Sequence, residues 1–149
     1  MERIAIGSDH AGFEMKEVLK QHLIDRGYSV TDVGTFSDAS CDYPDFAVEV
    51  ADRVVAKEAD KGVLICGTGI GMSMAANKVP GIRAAVVGDA FSAEATRSHN
   101  DANVLCMGAR VISEDEALQF LDIFLDTPFS EGENHIRRIG KLERSQSEQ

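Results

Sequence analysis

Short runs of apolar residues alternate along the chain with segments whose apolar residues recur every three or four positions. The runs are nearly continuous, which is typical of strands buried on both faces of a parallel sheet. The segments between them carry apolar stripes at helical spacing. This alternation predicts an α/β fold with right-handed crossovers. The predicted strands lie at 4–6, 29–33, 63–66, 84–87 and 104–107, and the clearest helices at 15–23, 47–55 and 117–125.

An additional helix is predicted after this core, from Glu131 to Leu142. Its few apolar residues form a thin stripe among many charges, so it gains little by packing on its own domain. Packing against a partner subunit is an equal alternative. The polar residues 143–149 predict a frayed tail. No internal repeat or linker interrupts the 149 residues, which predicts a single domain spanning 1–149.

The composition narrows the classes of function. Hydrophobic residues make up 44% of the chain, enough for one core, yet no apolar run approaches the roughly 20 residues of a membrane helix, and no signal peptide fits the start. The formal net charge of −10 argues against a general affinity for nucleic acid or anionic membranes. The three cysteines offer no disulfide framework and no Cys-x-x-Cys metal pair, and Cys41 and Cys106 suggest no special role. We expect a cytoplasmic protein.

The topology indicates where a ligand would bind. Open parallel sheets bind ligands beyond the carboxyl ends of their strands, where the strand order reverses. With the common order 2-1-3-4-5, the reversal falls between the first and third strands. These strands are followed by the most unusual loops of the chain, Gly7-Ser8-Asp9-His10-Ala11-Gly12 and Cys66-Gly67-Thr68-Gly69-Ile70-Gly71.

The second loop joins a thiol to three glycines. Gly67, Gly69 and Gly71 allow a tight turn and a close approach to a ligand. The helix start that follows near Met72 would attract an anion or a developing oxyanion; a purely structural turn is the alternative. Cys66 would lose its proton more easily beside a helix terminus, or would serve as a small buried hydrophobe.

Other polar residues leave similar pairs of interpretations. Asp9 either caps the helix that starts near Phe13 or forms an acid–base pair with His10. His99 either complements the dipole of its helix or takes part in catalysis. A basic cluster either binds phosphate or forms a solvated helix face paired with the glutamates at 131 and 133. The cluster comprises His135, Arg137 and Arg138, and Arg110 follows the fifth strand.

Taken in order, these motifs resemble the type B ribose-5-phosphate isomerases and the related galactose-6-phosphate isomerase subunits. The similarity covers nearly the whole chain up to about residue 138, and its collinear order is far more specific than any single motif. The motifs are Gly7-Ser8-Asp9-His10-Ala11-Gly12, Asp42-Tyr43-Pro44, Gly62 through Cys66-Gly67-Thr68-Gly69-Ile70-Gly71, Ala75-Ala76-Asn77-Lys78, Gly81-Ile82-Arg83-Ala84, Ser98-His99-Asn100-Asp101-Ala102-Asn103-Val104-Leu105 and Gly108-Ala109-Arg110.

The resemblance implies a three-layer Rossmann-like domain with a five-stranded parallel sheet and an extra C-terminal helix. It also implies a homodimer or dimer of dimers with shared active sites, without cofactor or metal. The implied reaction interconverts ribose 5-phosphate and ribulose 5-phosphate through an enediolate, within pentose phosphate metabolism. A six-carbon substrate, allose 6-phosphate or galactose 6-phosphate, is the alternative.

The resemblance further implies roles at the reacting end of the sugar. Cys66 is the base that moves a proton between C1 and C2, and His99 assists ring opening. Asp9 binds sugar hydroxyls or relays protons at them, and Asn100 contacts them. Some relatives use a glutamate as base, but the corresponding position near Met72 carries no acid, which favours the cysteine. The loop residues that contact the substrate and supply N–H donors to the enediolate are Gly67, Thr68, Gly69, Ile70 and Gly71.

For the phosphate, the resemblance implies His10, Arg110 and Arg138, some of them from the partner subunit. One departure affects this group. The family typically has an arginine just before the histidine at 135, whereas this chain has Asn134, and the segment 129–133 is one residue longer. Arg137 is the candidate to take over the lost contact. The preferred substrate is therefore left open.

Two rival classes share this α/β order. A nucleotide-binding module would use the glycine loop for pyrophosphate, but the third glycine comes one residue early for the dinucleotide pattern and no acid ends the next strand. A phospho-acceptor signalling domain would need clustered acids after the first strand and a lysine after the last; this chain has His10 beside Asp9, and Arg110 after the last strand. A non-catalytic sugar-phosphate sensor is a third alternative.

Overall fold

The computed structural model describes residues 2–147, with the side chains of residues 2–144. Strands and helices alternate regularly in this range, and one extra helix follows the last unit. The elements are β1 (Arg3–Ser8), α1 (Phe13–Asp25), β2 (Ser29–Asp32), α2 (Tyr43–Val55), β3 (Lys61–Cys66), α3 (Ile70–Ala76), β4 (Ala84–Val86), α4 (Ala90–Ser98), β5 (Val104–Gly108), α5 (Glu114–Asp126) and α6 (Glu133–Ser147). The helix expected near Met72 thus begins two residues earlier, at Ile70.

The five strands form one parallel sheet in the order β2-β1-β3-β5-β4. The predicted order 2-1-3-4-5 is wrong at its last two positions. Burial explains the difference, since all residues of β5 are buried whereas the three residues of β4 are half-buried or exposed. The more apolar strand lies beside β3, and the short strand forms the edge. The reversal between β1 and β3 is unaffected.

Two hydrophobic cores lie on the two faces of this sheet. Ile6, Leu19 and Phe124 belong to the core under α1, α4 and α5. Val50 and Leu64 belong to the core under α2 and α3. Each face of the sheet is therefore covered by helices, which confirms the predicted three-layer α/β fold.

The last helix, α6, is the least embedded element. Two of its apolar side chains, Ile136 and Leu142, are 52% and 54% exposed. Near its end the guanidinium of Arg83 pairs with the carboxylate of Glu143. The helix continues through residues 143–147, and residues 148–149 lie outside the described residues. The frayed tail stays a prediction. The helix therefore presents apolar surface that its own domain does not cover.

Candidate active site

A cavity of about 450 Å³ opens at the carboxyl ends of β1 and β3, at the predicted reversal of strand order. Both unusual loops contribute to its wall, because the ends of neighbouring parallel strands meet at one edge of the sheet. The cavity is lined by Asp9, Tyr43, Cys66, Gly67, Thr68, Ile70, Gly71, Met74 and Arg110.

Cys66 ends β3 and forms part of the cavity wall, although only 5% of its surface is exposed. Its Sγ accepts a hydrogen bond from the backbone N–H of Gly69 across 3.1 Å. An N–H group directed at sulfur stabilises negative charge there. The thiol is thus placed at the cavity and supplied with a donor, an arrangement that suits a reactive sulfur.

Gly69 reaches this position through a left-handed backbone. Its φ is +83°, and a Cβ built on it would lie 2.9 Å from the carbonyl carbon of Met107. Only glycine fits both conditions. In the same loop, the hydroxyl of Thr68 accepts the N–H of Ile70 across 3.2 Å. Two loop amides therefore hold the sulfur and the threonine, so an oxyanion would have to use the other amides of the loop.

The remaining cysteines differ from Cys66. Cys106 is fully buried, and burial raises the pKa of its thiol, with the charge of nearby Cys66 raising it further. No special role is expected for Cys41 from the sequence, but its backbone N–H donates to Nδ1 of His10 across 3.2 Å. In the neutral ring the proton then lies on Nε2, which is left as a donor.

Asp9 forms a turn just before α1, whose N-cap is Gly12 and not Asp9 as the capping interpretation had it. One carboxylate oxygen, Oδ1, accepts the N–H groups of Ala11 at 3.0 Å and Gly12 at 3.1 Å, just before α1 begins. The side chain also lines the cavity. The backbone of Gly12 packs directly against β3: a Cβ added at Gly12 would lie 2.7 Å from the carbonyl oxygen of Ile65. The turn therefore fixes the carboxylate at the cavity.

Arg110 brings positive charge to the same cavity. Its side chain lies against Gly67, and no ion pair of its guanidinium occurs among the residues whose side chains are described. A guanidinium without a carboxylate partner is suited to bind an anion such as a phosphate.

His99 lies at the other end of the strands, near their amino ends and away from the cavity. Helix α4 starts after the carboxyl end of β4 and returns to the amino end of β5, with His99 as its C-terminal cap. The six residues of β3 span about 20 Å. His99 therefore does not meet Cys66 within one chain.

At that far end His99 meets the start of α6. Its ring stacks on that of His135, with centroids 4.5 Å apart and planes inclined by 9°. Partial burial lowers the pKa of His135, and His99 and Arg138 lower it further because they oppose a second positive charge. No ion pair joins Arg137 or Arg138 to the glutamates at 131 and 133 within the described side chains, so these arginines are not part of a paired helix face.

The structure thus divides the predicted residues into two groups. We call the first the Cys66 cluster: Asp9, His10, Cys66, Gly67, Thr68, Gly69, Ile70, Gly71 and Arg110. We call the second the His99 cluster: His99, Asn100, Asn134, His135, Arg137 and Arg138. Each group is chemically incomplete as a sugar-phosphate site, because the proposed base lies in one and the proposed ring-opening group in the other.

Comparisons with known proteins agree with this geometry. Residues 4–142 match the model of a family described as Ribose/Galactose Isomerase. The chain belongs to the ribose/galactose isomerase family. It is accordingly an aldose–ketose isomerase. A ribose-5-phosphate isomerase B of Escherichia coli is 46% identical over 139 residues, 93% of each chain. A putative sugar phosphate isomerase of Bacillus subtilis is 48% identical over 141 residues, 94% of each.

Solved structures of this isomerase family superimpose closely. The ribose-5-phosphate isomerase B of Clostridium thermocellum has a TM-score of 0.96 at 47% identity, covering 98% of both chains. That of Mycoplasma genitalium, solved with bound ribulose-5-phosphate, has a TM-score of 0.93 at 44% identity, covering 99% of this chain and 97% of that one.

Two side chains of this isomerase line the cavity although the sequence does not predict them there. Tyr43, the first residue of α2, lies over Gly71, and Met74 projects from α3. The sequence Asp42-Tyr43-Pro44 carries a signal, because proline favours the first turn of a helix and thus places the aromatic ring at a helix start. Met74 has no such signal. Methionines in helices usually pack in the core, whereas this one is 64% exposed.

No helix among the described residues has the length and apolar character needed to cross a membrane. The same residues contain no group of three or more His, Cys, Asp or Glu side chains that could hold a metal ion.

Proposed function

We propose that this isomerase interconverts ribose 5-phosphate and ribulose 5-phosphate, with the thiolate of Cys66 as the base. The observation that carries the proposal is the position of Sγ in the cavity wall with the Gly69 N–H directed at it across 3.1 Å. A general base must lie within reach of the carbon-bound proton that it removes. Among the three cysteines, Cys66 is the one that lines the cavity.

The reaction follows from proton transfer alone. The thiolate removes the proton from C2 of the open aldose, the C1 carbonyl takes up the electron pair, and an enediolate forms. The same group returns the proton to C1 while the hydroxyl proton of O2 passes to O1, so that C2 becomes the ketone and C1 carries the hydroxyl. No net oxidation occurs, so the proposed step needs no nicotinamide. Amides of the 67–71 loop that are not already bonded stabilise the oxyanion, an effect of about 3 kcal/mol per donor in other enzymes.

Binding of the substrate involves both clusters. Arg110 and His10 contact the phosphate beside the base, and Asp9 contacts sugar hydroxyls. Ring opening by His99, hydroxyl contacts by Asn100 and further phosphate contacts by Arg137 and Arg138 come from a second chain. Asn134 offers the phosphate an amide where relatives of this family typically have the charged side chain of an arginine.

A homodimer with shared sites, or a dimer of such dimers, is therefore part of the proposal. Two observations support it: the sheet separates the clusters within one chain, and α6 exposes Ile136 and Leu142 next to the His99 cluster. In a two-fold dimer each Cys66 cluster would face the partner's His99 cluster. Location in the cytoplasm is also part of the proposal, supported by three free cysteines without a disulfide partner. The proposed substrate supports a place in pentose phosphate metabolism.

The test is turnover of ribose 5-phosphate in deuterium oxide by Cys66→Ala, with Cys106→Ala as matched control. We expect the first variant to remain folded and to lose turnover and deuterium incorporation at least 100-fold, the usual effect of a positioned base. The control removes a thiol that lies outside the cavity and should keep both. Normal turnover by Cys66→Ala would show that another group is the base.

Family membership argues against a nucleotide-binding or signalling module. The same assay should include allose 6-phosphate and galactose 6-phosphate, because the family description covers galactose isomerases as well. A preference of the native protein for a six-carbon substrate would correct the substrate and leave the proposed base intact. Binding of every sugar phosphate without turnover would contradict the proposed function.

A further inference from the structure

A fully buried lysine lies in α1, just after the loop that carries Asp9, and has no part in the proposed chemistry. The side chain of Lys16, in the first turn of α1, is 0% exposed. Its Nζ lies 2.6 Å from Oδ2 of Asp32, a side chain 7% exposed, and 2.8 Å from Oε1 of Glu17. An ammonium group is costly to bury unless it is paired, and replacing both members of a buried ion pair by well-packed apolar residues is often neutral or stabilising. The pair therefore calls for a reason other than stability.

The second oxygen of Asp32 leads to the loop that carries Asp9. Oδ1 accepts the N–H of Gly34 across 2.9 Å. The carbonyl of Gly34 in turn accepts the N–H of Ser8 at 2.8 Å, and the N–H of Thr35 donates to the carbonyl of Ser8 at 2.9 Å. Ser8 ends β1 and directly precedes Asp9. The loop after β2 thus hydrogen-bonds both backbone groups of Ser8, and we call these two bonds the clamp. Asp32 holds the loop in place through its bond to Gly34.

Lys16 anchors the other end of the same loop. Its backbone N–H donates to the carbonyl of Gly12 across 2.8 Å, which closes the first turn of α1. Residues 9–12 therefore lie between the clamped Ser8 and the anchored α1, and the N–H of Asp9 also donates to the carbonyl of Ile65 at 3.2 Å. The Lys16–Asp32 contact joins the clamp and α1 directly.

We propose that Lys16 and Asp32 form a positioning pair, which fixes residues 9–12 so that Asp9 lies at the cavity beside Cys66, with His10 next to it in the same turn. The inference rests on the proposed function for the roles of Asp9 and His10. Neither member of the pair touches substrate. Their contribution is the placement of two groups that do, and displacements of about 1 Å in such groups can cost up to 100-fold in rate.

The test compares Lys16→Met with Arg26→Met. Arg26 caps the other end of α1, where it pairs with Asp122 and Asp126 at 2.7 Å each. Both substitutions remove an ion pair from the same helix, but only Lys16 is connected to the clamp. Both variants should be less stable than wild type, so the kinetics are measured well below the unfolding temperature of each.

We expect Lys16→Met to raise KM for ribose 5-phosphate and Ki for inorganic phosphate by about tenfold or more, and to lower kcat less. Its amide hydrogens at Ser8, Gly34 and Thr35 should exchange faster than in wild type. Arg26→Met should leave all of these values unchanged. Wild-type KM, Ki and exchange in Lys16→Met would overturn the proposal, as would the same changes in both variants.

Asp32→Asn decides the question if Lys16→Met does not fold. It keeps the size and the acceptor for Gly34 but loses the charge opposite Lys16, so we expect the same rise in Ki, smaller in size. Unchanged Ki and exchange in this variant would also overturn the proposal. Phosphate inhibition and amide exchange do not depend on the identity of the sugar, so a failure of the positioning pair can be told apart from a failure of the proposed function.

Discussion

The backbone N–H of Gly69 and the Sγ of Cys66 lie 3.1 Å apart, three residues from each other in the same loop. The contact depends on a left-handed backbone at Gly69. The conformation of the glycine and the chemistry of the thiol are thus one structural feature: if the loop turns differently, the sulfur loses its donor.

Gly69→Ala tests this relationship. A Cβ at position 69 would meet the backbone of Met107 at 2.9 Å, so the loop must shift and the donor must leave the sulfur. We expect turnover to fall by at least tenfold, and the free energy of unfolding to fall by more than the roughly 1 to 2 kcal/mol of a left-handed alanine. Urea denaturation and initial rates measure the two effects.

Gly81→Ala is the matched control. Gly81 has a similar φ of +94°, but a Cβ at this position would have a methyl group of Val55 as its nearest neighbour, at 3.5 Å. This variant should lose only the stability that a left-handed alanine costs, and it should keep its turnover. Equal activities of the two variants would show that the donor to Cys66 is not needed.

Mixing two inactive variants tests the shared site. Cys66→Ala lacks the proposed base, and His99→Ala lacks the proposed ring-opening group. In a mixed dimer, one site would join the intact Cys66 of one chain to the intact His99 of the other. Unfolding and refolding an equal mixture should therefore restore about a quarter of wild-type activity, since half the dimers are mixed and each has one good site. Mixtures that stay inactive would place both residues in one chain's site.

Stability should depend on Asp32 in acid. Burial alone raises the pKa of Asp32, but hydrogen bonds from Lys16, the Gly34 amide and Lys20 outweigh it and leave the pKa below its ordinary value. A carboxyl group with a lowered pKa in the folded state stabilises the protein fully above its unfolded pKa of about 3.9. That contribution is lost as the pH falls through the folded value.

The measurement is the free energy of unfolding of wild type and Asp32→Asn by urea between pH 7 and pH 3. The difference between the two proteins should be constant down to about pH 5 and should shrink below about pH 4. A difference that stays the same at pH 3 would mean that the carboxylate charge does not stabilise the fold.

Most of the fold could be predicted because buried strands have a local signature. The apolar runs around Ile6, Leu64 and Leu105 mark the central strands. The order of β4 and β5 could not be predicted, since both are short apolar runs and their places depend on how the crossovers pack. The greater exposure of Val86 emerges only once the sheet is assembled.

The parts of the site that depend on side-chain chemistry are predictable from the sequence, and the parts that depend on backbone contacts are less so. Loop chemistry at the reversal of strand order points to Cys66 and Asp9. The role of Cys41 escapes sequence reasoning because its contact with His10 uses the backbone N–H, which any residue other than proline provides. The separation of His99 from Cys66 depends on the direction of α4, and the density of polar residues around His99 carries no information on direction.

The close contact between Gly12 and the carbonyl of Ile65 limits how the cavity can change its shape. The turn that bears Asp9 and the strand that bears the thiol are in close contact: Gly12 faces both the carbonyl and the Cγ2 methyl of Ile65, and the N–H of Asp9 donates to the same carbonyl at 3.2 Å. These two walls therefore move as a single rigid body. Any widening for a larger sugar must come from the opposite rim, where the side chains of Tyr43 and Met74 are exposed.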